Sequence, residues 1–276
     1  MAIDLDGAVA CVTGGGRGIG RATAAVLAAR GARVWIGDLD GEAAEGAAAE
    51  LGDRVRAAQL DVADGDSFAA FVAAAEADGP LSLLVNNAGI MSTGPFVEQD
   101  PEVQKREIEV NLGGVVTGMR LVLPGMVARN RGHVVNVASM AGRMTVPGAS
   151  VYSATKFAVT ALSRTVRAEL AGTEVTLTTV MPAAVRTDLS AGLDLRGVPT
   201  VEAGDVARAV VASCRHGRRE VAVPRWVRTP AVVVEAFPEP LGELAKRALR
   251  AQDRINPDND ERRRYSQRVG GGGTTV

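Results

Sequence analysis

Residues 8–38 constrain the fold of this chain more than any other stretch. Ala8-Val9-Ala10-Cys11-Val12-Thr13 is a short apolar run that ends in Thr13-Gly14-Gly15-Gly16-Arg17-Gly18-Ile19-Gly20, after which Arg21 to Arg30 reads as an Ala-rich helix closed by Gly31. The order is strand, glycine turn, helix. Glycines remove side chains where backbone must approach a pyrophosphate, and the helix beyond them offers its first amides and the positive end of its dipole. Gly14, Gly16, Arg17, Gly18, Ile19 and Gly20 are therefore candidate cofactor-binding residues. Arg33 to Asp38 is a second strand, ending in an acid about 20 residues after the glycines, where a carboxylate can hold ribose hydroxyls.

Asp38 also bears on cofactor choice. Its charge would repel the 2′-phosphate of NADP and accept hydrogen bonds from the free hydroxyls of NAD, whereas Arg17 in the glycine turn pulls toward NADP. The residue after Asp38 is Leu39, so the second cation that NADP often uses is missing, and the charge logic favours NAD. A helix-like stretch from Gly41 to Leu51 leads to a third strand, Val55 to Leu60, ending at Asp61-Val62. Two readings of Asp61 are open: acceptor from an adenine amino group with Val62 packed on the ring, or cap of the helix that starts near Asp64. Ser67 to Ala77 is Ala-rich, and Leu81 to Val85 is a fourth strand running into Asn86-Asn87-Ala88-Gly89.

In the second half, His133 to Ser139 is a strand whose terminal serine can donate to a carbonyl oxygen or stabilise an alkoxide. Tyr152 and Lys156 are four apart, so on a helix they share one face. A neighbouring ammonium favours phenolate, which would bring a tyrosine toward a pH where it trades protons with a substrate oxygen.

The ordered set TGGGRGIG at 13–20, DV at 61–62, NNAG at 86–89, Ser139 and YSATK at 152–156 resembles the short-chain dehydrogenase/reductase family over roughly residues 5–225. The resemblance implies an α/β fold: a single Rossmann-type doubly wound domain, its seven-stranded parallel sheet in order 3-2-1-4-5-6-7 with helices on both faces. It implies a catalytic set of Asn111, Ser139, Tyr152 and Lys156, with Asn111 on a long helix from about Glu102 to Arg129, holding a water that links the lysine to solvent. Asn87, Ala88 and Gly89 would let backbone reach the cofactor; Pro182, Val185 and Thr187 would meet the nicotinamide end; Lys156 would also bind the ribose. One departure is Ala183, which stands where the family usually has glycine and would be strained if its φ were positive. A homodimer or homotetramer built on the long helices is also implied.

The expected activity is hydride transfer between NAD(H) and a secondary alcohol or ketone, with Tyr152 as acid/base. The alternatives are an NADPH-dependent ketone or 3-oxoacyl reductase and a non-catalytic NAD-binding regulatory protein. Met91, Ser139, Met140, Met144, Tyr152, Leu189 and Leu193, together with Val146, are expected to wall an adaptable apolar substrate pocket under a lid near 188–199. Arg143 and both histidines, His133 and His216, read as loop, strand-end or surface residues, and no metal site is expected.

A net charge of -1 gives no reason to expect nucleic acid as partner. Cys11 and Cys214 read as buried thiols suited to a reducing cytoplasm. No uninterrupted apolar stretch looks long enough to cross a bilayer. Domain limits are placed at 1–228 for the dinucleotide-binding and catalytic unit, 229–252 for a helical extension that packs on this subunit or its neighbour, with membrane or greasy-substrate contact as second choice, and 253–276 for a polar, disordered tail.

Overall fold

A computed structural model describes residues 3–196, 198–227, 260–262 and 264–265. In chain order the elements are β1 (Val9–Thr13), α1 (Gly18–Ala28), β2 (Arg33–Asp38), α2 (Gly41–Leu51), β3 (Val55–Gln59), α3 (Gly65–Glu76) and β4 (Leu81–Asn86). They continue with α4 (Pro101–Ile108), a π-helical turn (Glu109–Gly113), α5 (Gly114–Ala128), β5 (His133–Val137), α6 (Ser150–Glu169), β6 (Thr176–Pro182), β7 (Ala184–Val185), β8 (Thr200–Val201), α7 (Ala203–His216) and β9 (Glu220–Val223). Seven of the strands form one parallel sheet in the order β3-β2-β1-β4-β5-β6-β9, as expected. The seventh is ninth along the chain because β7 and β8 pair with each other instead.

Side chains alternate across each strand, so the sheet buries two separate layers. Ala10, Val12, Val34, Ile36, Leu83 and Val85 face Leu27 of α1 and Val206 and Val210 of α7. Val9, Cys11, Leu84 and Val134 face Phe68 and Phe71 of α3, Met119 and Met126 of α5, and Val159 of α6. Each fully buried leucine or isoleucine there stabilises the fold by about 1.5–3 kcal/mol. The strand order reverses between β1 and β4, and that switch point opens a crevice at the strands' carboxyl ends. Both cysteines are free and buried, and burial pushes both thiols up, Cys214 to about 12.

Four expectations change. The long helix runs without a break from Pro101 to Ala128, with the π turn between α4 and α5. Taken together, 101–128 is long and apolar enough to span a bilayer, with a mean hydropathy of 1.4 over its most apolar window. It is nevertheless a core helix, since Gly114, Val115, Met119, Val122 and Met126 are buried against the sheet layer. His133 is not a surface residue. It is fully buried at the start of β5, bonded through Nδ1 to Thr176 Oγ1 at 2.7 Å and through Nε2 to Ser213 Oγ at 3.0 Å, and burial pushes it down to about 4, so it is neutral.

Residues 260–262 and 264–265, expected in a disordered polar tail, are helical, and Arg262 and Tyr265 are 1% and 6% exposed. Their polar groups find partners in the body of the fold, which composition does not reveal. The helix expected at 229–252 and the Gly-rich end lie outside the described residues. Ala183 carries no strain. Among the described residues only Asn130 is a non-glycine with positive φ, and the Ala183 amide donates to Val223 O at 2.8 Å.

Candidate functional site

The glycine turn lies at the switch point. Gly14 has φ +65°, and a Cβ there would stand 2.9 Å from Ala88 Cα; at Gly20 it would stand 2.0 Å from Gly14 O and 2.7 Å from Asn87 Nδ2. No side chain fits either place. Asn87 ties the turn to the end of β4, donating from Nδ2 to Thr13 O (2.9 Å) and Gly14 O (3.0 Å), while Thr13 Oγ1 accepts from the amides of Asn87 and Ala88. Thr13 is a bridging residue that the glycine pattern alone does not single out.

Helices α2, α3 and α4 open on Asp40, Asp64 and Asp100, each capping its first amides. By contrast α1 opens on Arg17 with no side-chain cap and no acid in its first turn, so its amide end, with Ile19 and Gly20, is left for an external anion. These features fit a dinucleotide pyrophosphate.

Asp38 sits beside the turn. Its carboxylate accepts from Gly16 N at 3.0 Å and Asp40 N at 3.2 Å, and Gly16 backs directly onto it. Arg17 pairs with Asp40 at 2.5 Å, which raises its pKa, so it is engaged by an acid the sequence pattern does not flag. Asp61 is not the helix cap; Asp64 holds that position, accepting from the amides of Asp66 and Ser67. Asp61 instead accepts from Ala63 N (3.0 Å) and pairs with Arg106 (2.7 Å). Val62 is buried against Gly114, where an added Cβ would come within 2.8 Å. Gly18 faces Thr187, whose Cγ2 would lie 3.2 Å from a Cβ there, so Thr187 lies against the turn.

The second half of the site joins the first through Gly89, whose missing Cβ would be 3.1 Å from Asn111 Oδ1 and 3.4 Å from Lys156 Nζ. Lys156 donates to Val137 O at 3.2 Å and lies 5.5 Å from the centre of the Tyr152 ring. Ser139 accepts from Ala141 N (3.1 Å), as a turn serine would, and is also hydrogen-bonded to Tyr152. Burial pushes Lys156 down to about 8.

Tyr152 departs from expectation. Its pKa is pushed up to about 12, because burial outweighs the Ser139 hydrogen bond and the charges of Tyr265 and Glu107 also oppose ionisation. The chain's own lysine does not make this phenol acidic. Asn111 is not turned to water: it is fully buried in the π turn, where Oδ1 accepts from Ile90 N (2.8 Å) and Nδ2 donates to Ile90 O (2.9 Å) and Thr155 Oγ1 (3.2 Å). A π turn inside a helix recurs at functional sites because it re-aims side chains.

Glu107, one turn earlier, is a residue that sequence reasoning missed. It is fully buried, and its carboxylate accepts from Ser92 N (3.0 Å) and Ser92 Oγ (2.6 Å). Burial raises it to about 6, against the Ser92 hydrogen bonds and the charges of Lys156 and Arg262. The folded chain then holds this proton more tightly than the unfolded chain, so stability falls as pH rises from about 4.5 to 6 and stays lower above. Glu107→Gln is expected to stabilise the fold by on the order of 2 kcal/mol at pH 7, with the gain vanishing below pH 4.5. Thermal unfolding across pH checks this; a pH-independent difference would contradict it.

Met91, Ala141, Ala149 and Tyr152 form a small apolar cluster of their own, with Val146, Leu189 and Leu193 packed against it. Met140 does not join it and packs in the sheet layer, while Met144 is 38% exposed. Arg143, expected as a solvated cation, is largely buried and paired with Glu220, which Arg164 also contacts at 2.7 Å.

The family model for short chain dehydrogenase matches residues 8–196. The chain is 36% identical over 197 residues to the 2,5-dichloro-2,5-cyclohexadiene-1,4-diol dehydrogenase LinX of Sphingobium indicum, covering 70% of this chain and 79% of that one. It is 34% identical to the glycine betaine reductase ATRR of Emericella nidulans over 86% of its own length, which is 19% of that protein's. Among solved structures, a short chain dehydrogenase/reductase from Burkholderia phymatum in complex with NAD superposes with a TM-score of 0.78 at 27% identity, covering 93% of this chain and 98% of that one. The sheet order, the glycine turn at its switch point and these matches together place the chain in the short-chain dehydrogenase/reductase family.

Proposed function

We propose that the protein is an NAD-dependent oxidoreductase that moves a hydride between its cofactor and a secondary alcohol or ketone of apolar character. The observation that carries this reading is the continuous path from glycine turn to phenol: Gly14 against Ala88, Gly89 against Lys156 Nζ, and Lys156 beside Tyr152, which Ser139 bonds. Gly14, Gly16, Gly18, Ile19 and Gly20 would hold the pyrophosphate, Asp38 the adenosine ribose, Asp61 and Val62 the adenine, and Asn87, Ala88, Gly89, Pro182, Val185 and Thr187 the nicotinamide side. When bound, NAD supplies the hydride acceptor, or NADH the donor. Ser139 holds the substrate oxygen, Tyr152 takes or gives its proton, and Lys156 orients the ribose and lends positive charge beside the phenol. Asn111 holds the Ile90 wall and Thr155 in register with them.

NAD is preferred because Asp38 and Asp40 both stand at the adenosine end and Arg17 is paired there. Cys11 and Cys214, free and buried, fit the cytoplasm. The exposed Ile108, Leu121 and Val127 on helices α4 and α5 fit a homodimer or homotetramer.

Titration with NADH and NADPH by nicotinamide fluorescence, followed by NAD-linked oxidation of a secondary-alcohol panel, tests the reading. NADH should bind at least about tenfold more tightly, a difference of 1.4 kcal/mol. Tighter NADPH binding would overturn the role given to Asp38 and point to a reductase. NADH binding with no turnover across the panel would point to a regulatory protein.

A further inference from the structure

Segment 90–93 passes the apolar cluster around Tyr152, and its polar groups are held from two sides. Ile90 is held by Asn111 and Ser92 by Glu107, both from the α4–α5 helix. Met91 and Thr93 point the other way and are held from the far end of the chain. The Tyr265 hydroxyl accepts from Met91 N at 3.1 Å, and the Arg262 guanidinium donates to Met91 O and, at 2.9 Å, to Thr93 Oγ1. The same guanidinium donates to Leu189 O at 2.8 Å and stacks on the Tyr265 ring with its carbon 4.4 Å from the ring centre. Met91 and Leu189 both belong to the apolar cluster around Tyr152. One planar fork therefore spans two walls of the pocket.

We propose that Arg262 and Tyr265 are specificity-determining residues: they form an outer wall of the substrate pocket and fix the spacing between its Met91 and Leu189 walls, so that compact apolar ketones and alcohols are admitted and bulky ones excluded. This rests on the alcohol/ketone reading above. Two features of the geometry support it. Arg262 is buried and spends donors on two backbone carbonyls and a hydroxyl, so it works as a rigid spacer, a task suited to a guanidinium fork and unsuited to an ammonium. Tyr265 closes the Met91 amide, which would otherwise face the pocket unpaired.

The experiment uses full-length Arg262→Ala, Arg262→Lys and Tyr265→Phe, with two readouts. In steady-state reduction of cyclohexanone and of a fused polycyclic ketone, Arg262→Ala should raise KM for cyclohexanone and cut its kcat/KM advantage over the larger ketone by about tenfold or more, with kcat changed much less. Arg262→Lys should not restore the advantage. NADH affinity should stay within about twofold of wild type, since neither residue belongs to the cofactor cradle.

In hydrogen exchange, the Met91 amide should be slow in wild type and at least about tenfold faster in Tyr265→Phe, which removes its acceptor and keeps the ring. Unchanged exchange at Met91 together with an unchanged ketone ratio would overturn the proposal. Loss of NADH affinity with a lowered melting temperature in Arg262→Ala would also overturn it, in favour of a role in holding the fold. A wild type that binds NADH and reduces neither ketone would count against the alcohol/ketone reading, and the exchange readout would still decide whether the two residues close the wall.

Discussion

Replacing Tyr152 with phenylalanine is expected to lower kcat roughly a thousandfold or more while leaving NADH affinity within a few-fold of wild type. The change removes one oxygen from a buried ring that lies 5.5 Å from Lys156 Nζ and whose hydroxyl is bonded to Ser139, and leaves the glycine cradle untouched. Because burial holds this phenol near 12, alcohol oxidation, which needs the phenolate, should quicken as pH rises toward that value, while ketone reduction, which needs the phenol, stays level until pH comes close to it. Stopped-flow turnover beside a fluorescence titration separates the effects. Retained turnover in the variant would move the acid/base role to another group.

The second large effect is expected from Gly20→Ala. A single methyl placed 2.0 Å from Gly14 O and 2.7 Å from Asn87 Nδ2 cannot be relieved by rotating a side chain, because the nearest obstacle is backbone. The start of α1 must withdraw from the turn, opening the Asn87 bridge to β4 and spoiling the anion end of the helix together. NADH affinity should fall by at least about a hundredfold, or 2.7 kcal/mol, with a smaller loss in melting temperature. Gly46, on α2 with nothing within 4 Å of an added Cβ, provides the matched control. Near-normal NADH binding by Gly20→Ala would mean that the cofactor does not use this turn.

Those two positions show which parts of the molecule sequence can reveal. Glycine turn, strand, terminal acid and Tyr-x-x-x-Lys are local patterns: each element is specified by residues a few places apart, and the sheet order follows from the family resemblance. The acid at 38 could be found by counting along the chain. Groups joined by packing could not. Glu107 reads as a surface acid in a polar helix until Ser92 is seen to bind it, and Arg143 reads as a loop cation until Glu220 is seen beneath it. Arg262 lies in a tail whose composition suggests solvent, 169 residues from its partner Thr93. Met140 and Met144 flank Ser139 along the chain, but the turn after Ser139 sends one into the sheet layer and the other to the surface.

The π turn at 109–113 has a consequence for how helix 101–128 is written. Its buried positions run in steps of four, through Glu107, Asn111, Val115 and Met119 in one row and Val110, Gly114, Gly118, Val122 and Met126 in another. On an uninterrupted α-helix, steps of four drift around the axis by about 40° each, so rows this long would spiral off the sheet. The wider π turn takes up part of that drift midway, and it does so where both the Asn111 amide and the Glu107 carboxylate must reach across to one extended segment. Because the π turn closes on i→i+5 bonds where an α turn closes on i→i+4, deleting one of its residues other than Asn111 should let it close as an α turn with Met119 and Met126 still seated and Glu107 still at Ser92, while re-aiming the Asn111 amide.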